Sequence, residues 1–358
     1  MKKATIFFLA VIILAACRKT MQESENPRQA TEETMQKGKP APPATANPAF
    51  TFKSYFSVGQ RIIPGIYVMD VTGANKTKVY SNYNNQVIHD VDYPAWNETG
   101  NKLCFTSDFA DLYTLNISLV NGVPTGTGAT KIADGIAAGG KYKQGKWRPG
   151  ASQVACLWKK TGDPDKIHLI PASGGSPTVL YAAQNTDWII EDDIAFNPNG
   201  SRLLISERQV STGLIYLKVF DMNSNQVINS IDMSQFKYIK ELDWARTAGT
   251  NTVAIITVPR CDNTNIGSQG INQLYTLDVS SSTPSLTWRK DDLGNSISWS
   301  PDDLKINVAP YTSASYCNTT TGCCDREYNQ SFRILTLSTG VFGTWFSSFQ
   351  VIHPDWKR

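Results

Sequence analysis

The chain has 358 residues, of which 41% are apolar, 10% aromatic and 18% charged, and its formal net charge is +3. This composition excludes a disordered chain, a coiled coil and a multi-span membrane protein. The small net charge provides no broad electrostatic field for nucleic acid or an anionic membrane surface, so no nucleic-acid partner is expected.

The first seventeen residues have the pattern of a bacterial export signal. Lys2 and Lys3 form a basic start, an apolar run extends from Ile6 to Leu14, and Leu-Ala-Ala-Cys ends the segment at Cys17. The apolar run is too short to cross a bilayer as a helix. The ending resembles a lipobox, in which the cysteine receives a diacylglyceryl group. We predict a signal peptide over residues 1–16 and a lipid anchor on Cys17, with an ordinary secretory signal as the alternative.

Residues 17–48 follow as the lipidated cysteine and a disordered tether. The segment is rich in Gln, Glu, Thr, Pro and Ala, and it has no apolar periodicity. Its second residue is Arg18 and not aspartate, so the inner-membrane retention signal of enteric bacteria is absent. We therefore expect a protein of the bacterial cell envelope that is anchored to the outer membrane by its lipid.

From Phe50 onward, short apolar runs alternate with Gly, Asn, Asp and Pro, which is typical of an all-β domain. An aromatic residue recurs before a tight turn and an apolar strand, with spacings of 51, 49, 48, 55 and 57 residues. A period near fifty, with four short strands per unit, is typical of a β-propeller blade. The six repeat aromatic residues are Trp96, Trp147, Phe196, Trp244, Trp299 and Trp356.

The two ends of this domain, residues 49–358, complete one blade between them. Ala49 to Phe52 has the pattern of a second strand and Gly65 to Val71 that of a third, whereas Val351 to Trp356 has the pattern of a first strand. The sequence therefore predicts a six-bladed propeller whose closing blade combines both chain ends. Such closure removes exposed sheet edges.

These repeats resemble the WD40-like Pro-Asp repeats of the TolB-like propeller family. The best matches are Trp299-Ser300-Pro301-Asp302, Phe196 to Gly200 and Ile66 to Asp70. The resemblance implies the six-bladed fold and no particular reaction. It departs from TolB in two respects, because TolB has an α/β domain before its propeller and is a soluble periplasmic protein. The partners of TolB are therefore not transferred to this chain.

Two long loops are predicted between second and third strands, Pro259 to Gly270 in blade 4 and Tyr311 to Tyr328 in blade 5. They contain four of the seven cysteines, and in an oxidising compartment these are candidates for disulfides: Cys261, Cys317, Cys323 and Cys324. A metal site is the weaker alternative. Cys104 and Cys156 are expected to be small buried residues, with an inter-blade disulfide as the alternative.

The mouth of the central channel is the second candidate site. Residues three or four positions before each repeat aromatic residue should surround it, and His89 and Asp90 lie close by in the loop that enters blade 1. Such a ring could hold a sugar, and a channel cation such as calcium is left open; no other cofactor is expected. The six ring residues are Asp92, Lys143, Asp193, Glu241, Ser296 and His353.

No nucleophile elbow, zinc-protease motif or P-loop is present. The first hypothesis is a monomeric, membrane-anchored, non-catalytic propeller that binds an envelope protein or glycan through its loop face. The second is a propeller enzyme acting on carbohydrate, either a lyase or a sugar dehydrogenase. The third is a purely structural envelope protein.

Overall fold

The computed structural model describes residues 47–81, 90–107, 110–260, 272–291, 293–317, 324–328, 332–346 and 351–358. The chain divides into two units, Met1–Pro42 and Pro43–Arg358, and every described residue belongs to the second. Within the described residues, none forms a helix long and apolar enough to cross a membrane. The described secondary structure consists of β-strands and turns.

Six antiparallel sheets follow one another along the chain. The earliest strands, which belong to blade 6, are β1 (Phe50–Val58), β2 (Arg61–Met69) and β3 (Thr77–Tyr80). Blade 1 contains β4 (Val91–Trp96), β5 (Lys102–Ser107), β6 (Asp111–Val120) and β7 (Val123–Ala133). Blade 2 contains β8 (Lys141–Trp147), β9 (Gln153–Lys159), β10 (Lys166–Pro171) and β11 (Thr178–Ala182). Blade 3 contains β12 (Trp188–Phe196), β13 (Arg202–Gln209), β14 (Ile215–Asp221) and β15 (Gln226–Asp232).

The second half of the ring repeats this order. Blade 4 contains β16 (Phe236–Trp244), β17 (Thr252–Pro259), β18 (Gln273–Asp278) and β19 (Thr287–Asp291). Blade 5 has five strands, namely β20 (Leu293–Trp299), β21 (Lys305–Cys317), β22 (Cys324–Tyr328), β23 (Phe332–Thr336) and β24 (Val341–Phe346). The last strand, β25 (Ile352–Trp356), pairs with β1 and completes blade 6 in the order β25-β1-β2-β3. The predicted six-bladed propeller, closed by both chain ends, is confirmed.

The hydrophobic core lies between the blades. Each of six buried clusters is made by side chains from two neighbouring sheets, because successive residues of a strand point to opposite sides. In β14, for example, Ile215, Leu217 and Val219 are buried against blade 4, while Tyr216 and Lys218 lie on the other side and are half-buried. The interfaces between blades thus supply the apolar burial that drives folding.

The repeat aromatic residues are part of these interfaces. Trp244 has no exposed surface and packs with Leu204 and Ile215 of blade 3. Trp356 packs on Phe50 with a centroid separation of 4.6 Å, beside Ile334 of blade 5. In all six blades the repeat aromatic residue is buried, in the cluster shared with the preceding blade. Its recurrence therefore reflects inter-blade packing.

The predicted loop from Tyr311 to Tyr328 differs from the structure. Most of it is a hairpin, in which β21 continues beyond the blade and pairs with β22. Tyr311 is opposite Tyr328, and Cys317 is opposite Cys324 in the backbone register. Pairing satisfies the backbone hydrogen-bonding groups that an irregular loop would leave to water. Of the other predicted loop, residues 261–270 lie outside the described residues.

Candidate functional site

Each blade's first strand carries an irregularity near the centre of the ring. The six first strands, β4, β8, β12, β16, β20 and β25, contact one another in sequence and surround the central channel. Each has one or two more residues than its partner strand at the same place, which defines a repeated β-bulge. Four residues at the bulges have positive φ without being glycine: Tyr93, Gln144, Ser296 and His353. The bulge turns the side chain at this position toward the channel.

The bulge residues line one small cavity. It is enclosed by the residue three positions before each repeat aromatic residue: Tyr93, Gln144, Asp193, Glu241, Ser296 and His353. The cavity volume is about 20 Å³, which is room for about one water molecule. Within the described residues, the side-chain oxygens of Gln144 and Ser296 have no hydrogen-bond partner. The cavity is therefore polar, but it is far too small for a sugar.

The side chain of Lys146 lies among the carboxylates of the central channel. The ammonium of Lys146 lies 3.4 Å from the carboxylate of Asp193. Burial alone would lower the pKa of Lys146, but Asp193, Asp355, Asp243 and Glu241 outweigh it and the pKa is raised. Lys146 thus supplies the positive charge that a bound cation would otherwise contribute.

Two carboxylates, Asp243 and Asp355, connect neighbouring blades, and we call these two residues and Lys146 the inner layer. Asp243 accepts a hydrogen bond of 2.9 Å from the backbone N–H of Trp299, and Asp355 accepts one of 2.8 Å from that of Trp96. Burial raises the pKa of Asp355 and, in the same channel, that of Asp193. Arg246 lies 2.9 Å from Asp243 and 3.9 Å from Asp355. These contacts close the far end of the channel with ion pairs.

The channel mouth carries a second network at the junction of blades 6 and 1. Lys53 of β1 lies 2.8 Å from a carboxylate oxygen of Asp90 and 3.1 Å from one of Asp92. On its other side, Asp92 lies 2.6 Å from Nδ1 of His353, whose ring stacks on Tyr93 with a centroid separation of 4.0 Å. A carboxylate can only accept, so Nδ1 carries the proton of this bond and Nε2 is the ring's other polar atom.

Electrostatics hold this network in its charged form. Burial would raise the pKa of Asp92, but the hydrogen bond to His353 and the charge of Lys53 outweigh burial and lower it. Burial would likewise lower the pKa of Lys53, but Asp92 and Asp90 raise it. The side chains of Lys53 and Asp92 are only 6% and 11% exposed. The network can hold protons at fixed atoms, and each of its two carboxylates lies beside the ammonium of Lys53.

The structure brings together most of the channel residues selected from the sequence. Asp193, Glu241, Ser296 and His353 line the cavity. In blades 1 and 2 the bulge residues are Tyr93 and Gln144, one position after the predicted Asp92 and Lys143, because the hydrophobic pattern contains no signal for the bulge. Asp92 and Asp90 belong to the mouth network, and His89 lies outside the described residues.

Sequence reasoning missed the inner layer. Lys146, Asp243 and Asp355 each lie one residue before a repeat aromatic residue. A charged residue recurs at this same repeat position in three of the first strands, and this could have been the signal. Within the described part of the chain, no group of three or more His, Cys, Asp or Glu side chains is placed to hold a metal ion.

Some of the cysteines lie within the residues that the structure describes, and others lie outside them. Cys104 and Cys156 are free and buried, as expected for small core residues. Burial raises the pKa of both thiols, which makes them unreactive. The described positions include the backbone of Cys317 and Cys324, whereas Cys17, Cys261 and Cys323 lie outside them.

The geometry defines a closed six-bladed propeller with a polar channel, and solved structures share this fold. TolB from Acinetobacter baumannii aligns with a TM-score of 0.57 and 13% identity, over 86% of this chain and 66% of that chain. A protein described as TolB from Agrobacterium tumefaciens aligns with 0.54 and 14% identity, over 87% of this chain and 92% of that chain. Hydrazine synthase of Kuenenia stuttgartiensis aligns with 0.50 and 11% identity, over 76% and 74%.

At these identities the likeness shows the fold alone. The chain spans slightly less than two thirds of the length of the Acinetobacter protein. No protein-family model and no curated protein matches this sequence.

Proposed function

We propose that the protein is a non-catalytic binding module of the bacterial cell envelope, which binds a protein or a glycan on one face of its ring. We call this the mouth face; there the first strands begin and the second strands end. One observation carries the proposal. The charged groups of the channel and its mouth are paired with one another, and the cavity of about 20 Å³ admits no substrate. A ligand would therefore meet the surface of the ring.

Turns on the mouth face provide that surface. They join second to third strands and fourth to first strands on a rigid scaffold, the arrangement in which loops commonly carry binding residues. The β1–β2 hairpin turns at Gly59 with Ile62 64% exposed, and the β13–β14 turn presents Val210 at 54%. Such rim residues favour a macromolecular partner over a small molecule.

Photocrosslinking in intact cells tests which face binds. A diazirine-bearing residue at Ser211, an exposed position of the β13–β14 turn, should form a covalent adduct with a protein or glycan. The matched control is Ser224, which is exposed in the β14–β15 turn at the opposite end of the same blade. Adducts at Ser224 and not at Ser211, or at neither, would contradict the proposal.

We also propose that the chain is anchored by lipid at Cys17, acts as a monomer and resides at the outer membrane. The lipobox-like ending supports the anchor, since several acyl chains hold a protein firmly at about 0.8 kcal/mol per buried methylene. Fatty-acid labelling and fractionation test it. Cys17→Ala should abolish the label and release the protein, whereas Cys104→Ala should keep both. A labelled, membrane-bound Cys17→Ala protein would contradict lipid anchoring.

The alternative function, an enzyme acting on carbohydrate, has the Asp92–His353 pair as its candidate base. The 2.6 Å contact to Asp92 would orient the ring of His353. Turnover of an oligosaccharide that disappears in His353→Gln, with binding unchanged, would favour the enzyme. Binding without turnover in the wild-type protein favours the binding module.

A further inference from the structure

Three half-buried aromatic rings lie on the mouth face where blades 2 and 3 meet. Tyr181 comes from β11, Trp188 from the start of β12 and Tyr216 from the start of β14. The centroids of Trp188 and Tyr216 are 5.9 Å apart. We call these three rings, together with Lys218 and Glu207, the aromatic groove.

The polar groups of the aromatic groove neutralise one another. Glu207 is fully buried and forms an ion pair with Lys218, whose ammonium also donates a hydrogen bond of 2.9 Å to the hydroxyl of Tyr181. That hydroxyl donates to Glu207 at 2.7 Å. The ammonium lies 5.6 Å from the ring centroids of Tyr181 and Trp188. The groove therefore combines ring faces with donors and acceptors and has no net charge.

The flank toward blade 4 repeats this combination. Arg208 pairs with Glu191 at 2.6 Å and lies over the ring of Tyr238, with 4.9 Å between its guanidinium carbon and the ring centroid. One cation and one carboxylate again pair beside an aromatic face, and the ammonium of Lys237 lies 5.2 Å from the same ring centroid. Within the aromatic groove itself, a charged peptide or anionic ligand would find no unbalanced charge to pair with.

We propose that the aromatic groove binds a neutral glycan. The C–H groups on one side of a pyranose ring carry partial positive charge and pack on the negative face of an aromatic ring. The sugar hydroxyls both donate and accept, which matches the half-buried ammonium of Lys218 and phenol of Tyr181, and the bonds of these two groups to the buried Glu207 hold them in place. This inference rests on the proposed function and names the ligand class for the mouth face.

The rings of the aromatic groove are held in place before any ligand arrives. Tyr181 and Trp188 pack against the buried cluster between blades 2 and 3, which includes Ile190 and Phe220. The centroids of Tyr181 and Phe220 are 6.0 Å apart in an edge-on arrangement. Ordering a free aromatic side chain on binding would cost affinity, so this packing favours recognition.

The test is calorimetric titration of the full chain with neutral hexasaccharides of glucose, mannose, galactose and xylose, with hexagalacturonate as the charged comparison. The wild-type protein should bind at least one neutral glycan more tightly than hexagalacturonate. Trp188→Ala and Tyr216→Ala should each weaken that binding at least tenfold. Trp288→Ala is the matched control, because Trp288 is 53% exposed on the outer strand of blade 4, and it should bind as the wild type does.

Two variants keep the test decisive if one fails to fold, and thermal unfolding identifies such a failure. The inference is overturned if no neutral glycan binds, if the charged glycan binds more tightly, or if both folded variants bind as the wild type does. A protein adduct at Ser211 together with no glycan binding would overturn the glycan and leave the proposed function standing. No adduct at Ser211 and no glycan binding would overturn both.

Discussion

Asp355 accepts a hydrogen bond of 2.8 Å from the backbone N–H of Trp96, a residue 259 positions earlier in the chain. This bond connects the last strand to the first complete blade. Two further bonds of the same kind lie beside it along the ring. Asp243 accepts from Trp299, and Ser298 accepts from Trp356 at 2.7 Å. At three of the six blade interfaces, therefore, a hydrogen-bond acceptor one position before a repeat aromatic residue joins two neighbouring blades.

Replacing Asp355 by alanine should destabilise the protein by about 2–3 kcal/mol, because a hydrogen bond to a charged group is lost and a backbone N–H is left buried. Asp355→Asn should cost less, since its amide oxygen can still accept from Trp96. Urea unfolding followed by tryptophan fluorescence measures both values. Equal stability of Asp355→Ala and the wild type would show that the bond contributes nothing to closure.

Ending the chain at residue 350 should open the ring. The deletion removes β25, which exposes Phe50 and the edge of β1 that β25 otherwise covers. We expect loss of the cooperative thermal transition and self-association through the free edge, both measurable by calorimetry and size-exclusion chromatography. A chain ending at Trp356 is the control. A monomeric, cooperative protein after the longer deletion would refute the closing role of β25.

The mouth network should make stability depend on pH through Asp92. Its native pKa is lowered below the usual value of about 3.9, so its contribution is present above that value and is lost as pH falls through the native pKa. Asp92→Asn should cost about 3 kcal/mol at pH 7. The difference from the wild type should shrink toward pH 3 in urea unfolding. A difference that is constant with pH would contradict the ion pairs.

The stability cost of Lys146→Met should also shrink in acid, for a different reason. It leaves Asp193 buried without its ion-pair partner and removes one of the two cations that act on Asp355, at a cost of about 3 kcal/mol at pH 7. Burial already raises the native pKa values of these carboxyls, so they become neutral and lose the penalty as pH falls through those values. Lys143→Met, in the same strand, should show no such recovery in urea unfolding. A cost that persists in acid would argue against Lys146 as the internal counterion.

Two tryptophans of blade 4 should differ sharply in their contribution to stability. Trp244 has no exposed surface, so Trp244→Ala should cost about 3–5 kcal/mol. Trp288 is 53% exposed on the outer strand, and Trp288→Ala should change stability by less than about 0.5 kcal/mol. Chemical unfolding of the two variants checks the contrast. Similar costs would mean that the repeat position is not the packing centre of the interface.

Much of the architecture was predictable because blade packing imposes a local pattern. An apolar second strand follows the turn after the repeat aromatic residue in blades 1 to 5, as predicted. The extended β21–β22 hairpin was not predictable, since the polar sequence of this segment is equally compatible with a loop. The aromatic groove was also missed. Its members come from four successive strands, β11 to β14, and each has ordinary strand spacing.

The sequence by itself determined the six blades and their closure, because the aromatic period and the two incomplete ends are properties of order along the chain. Only the tertiary structure decided which residues face the channel, since the bulges of β4 and β8 place Tyr93 and Gln144 there, one position after the predicted residues. It also decided that Lys146 lies among the inner carboxylates, 3.4 Å from that of Asp193. That outcome depends on side chains from several blades meeting at one axis.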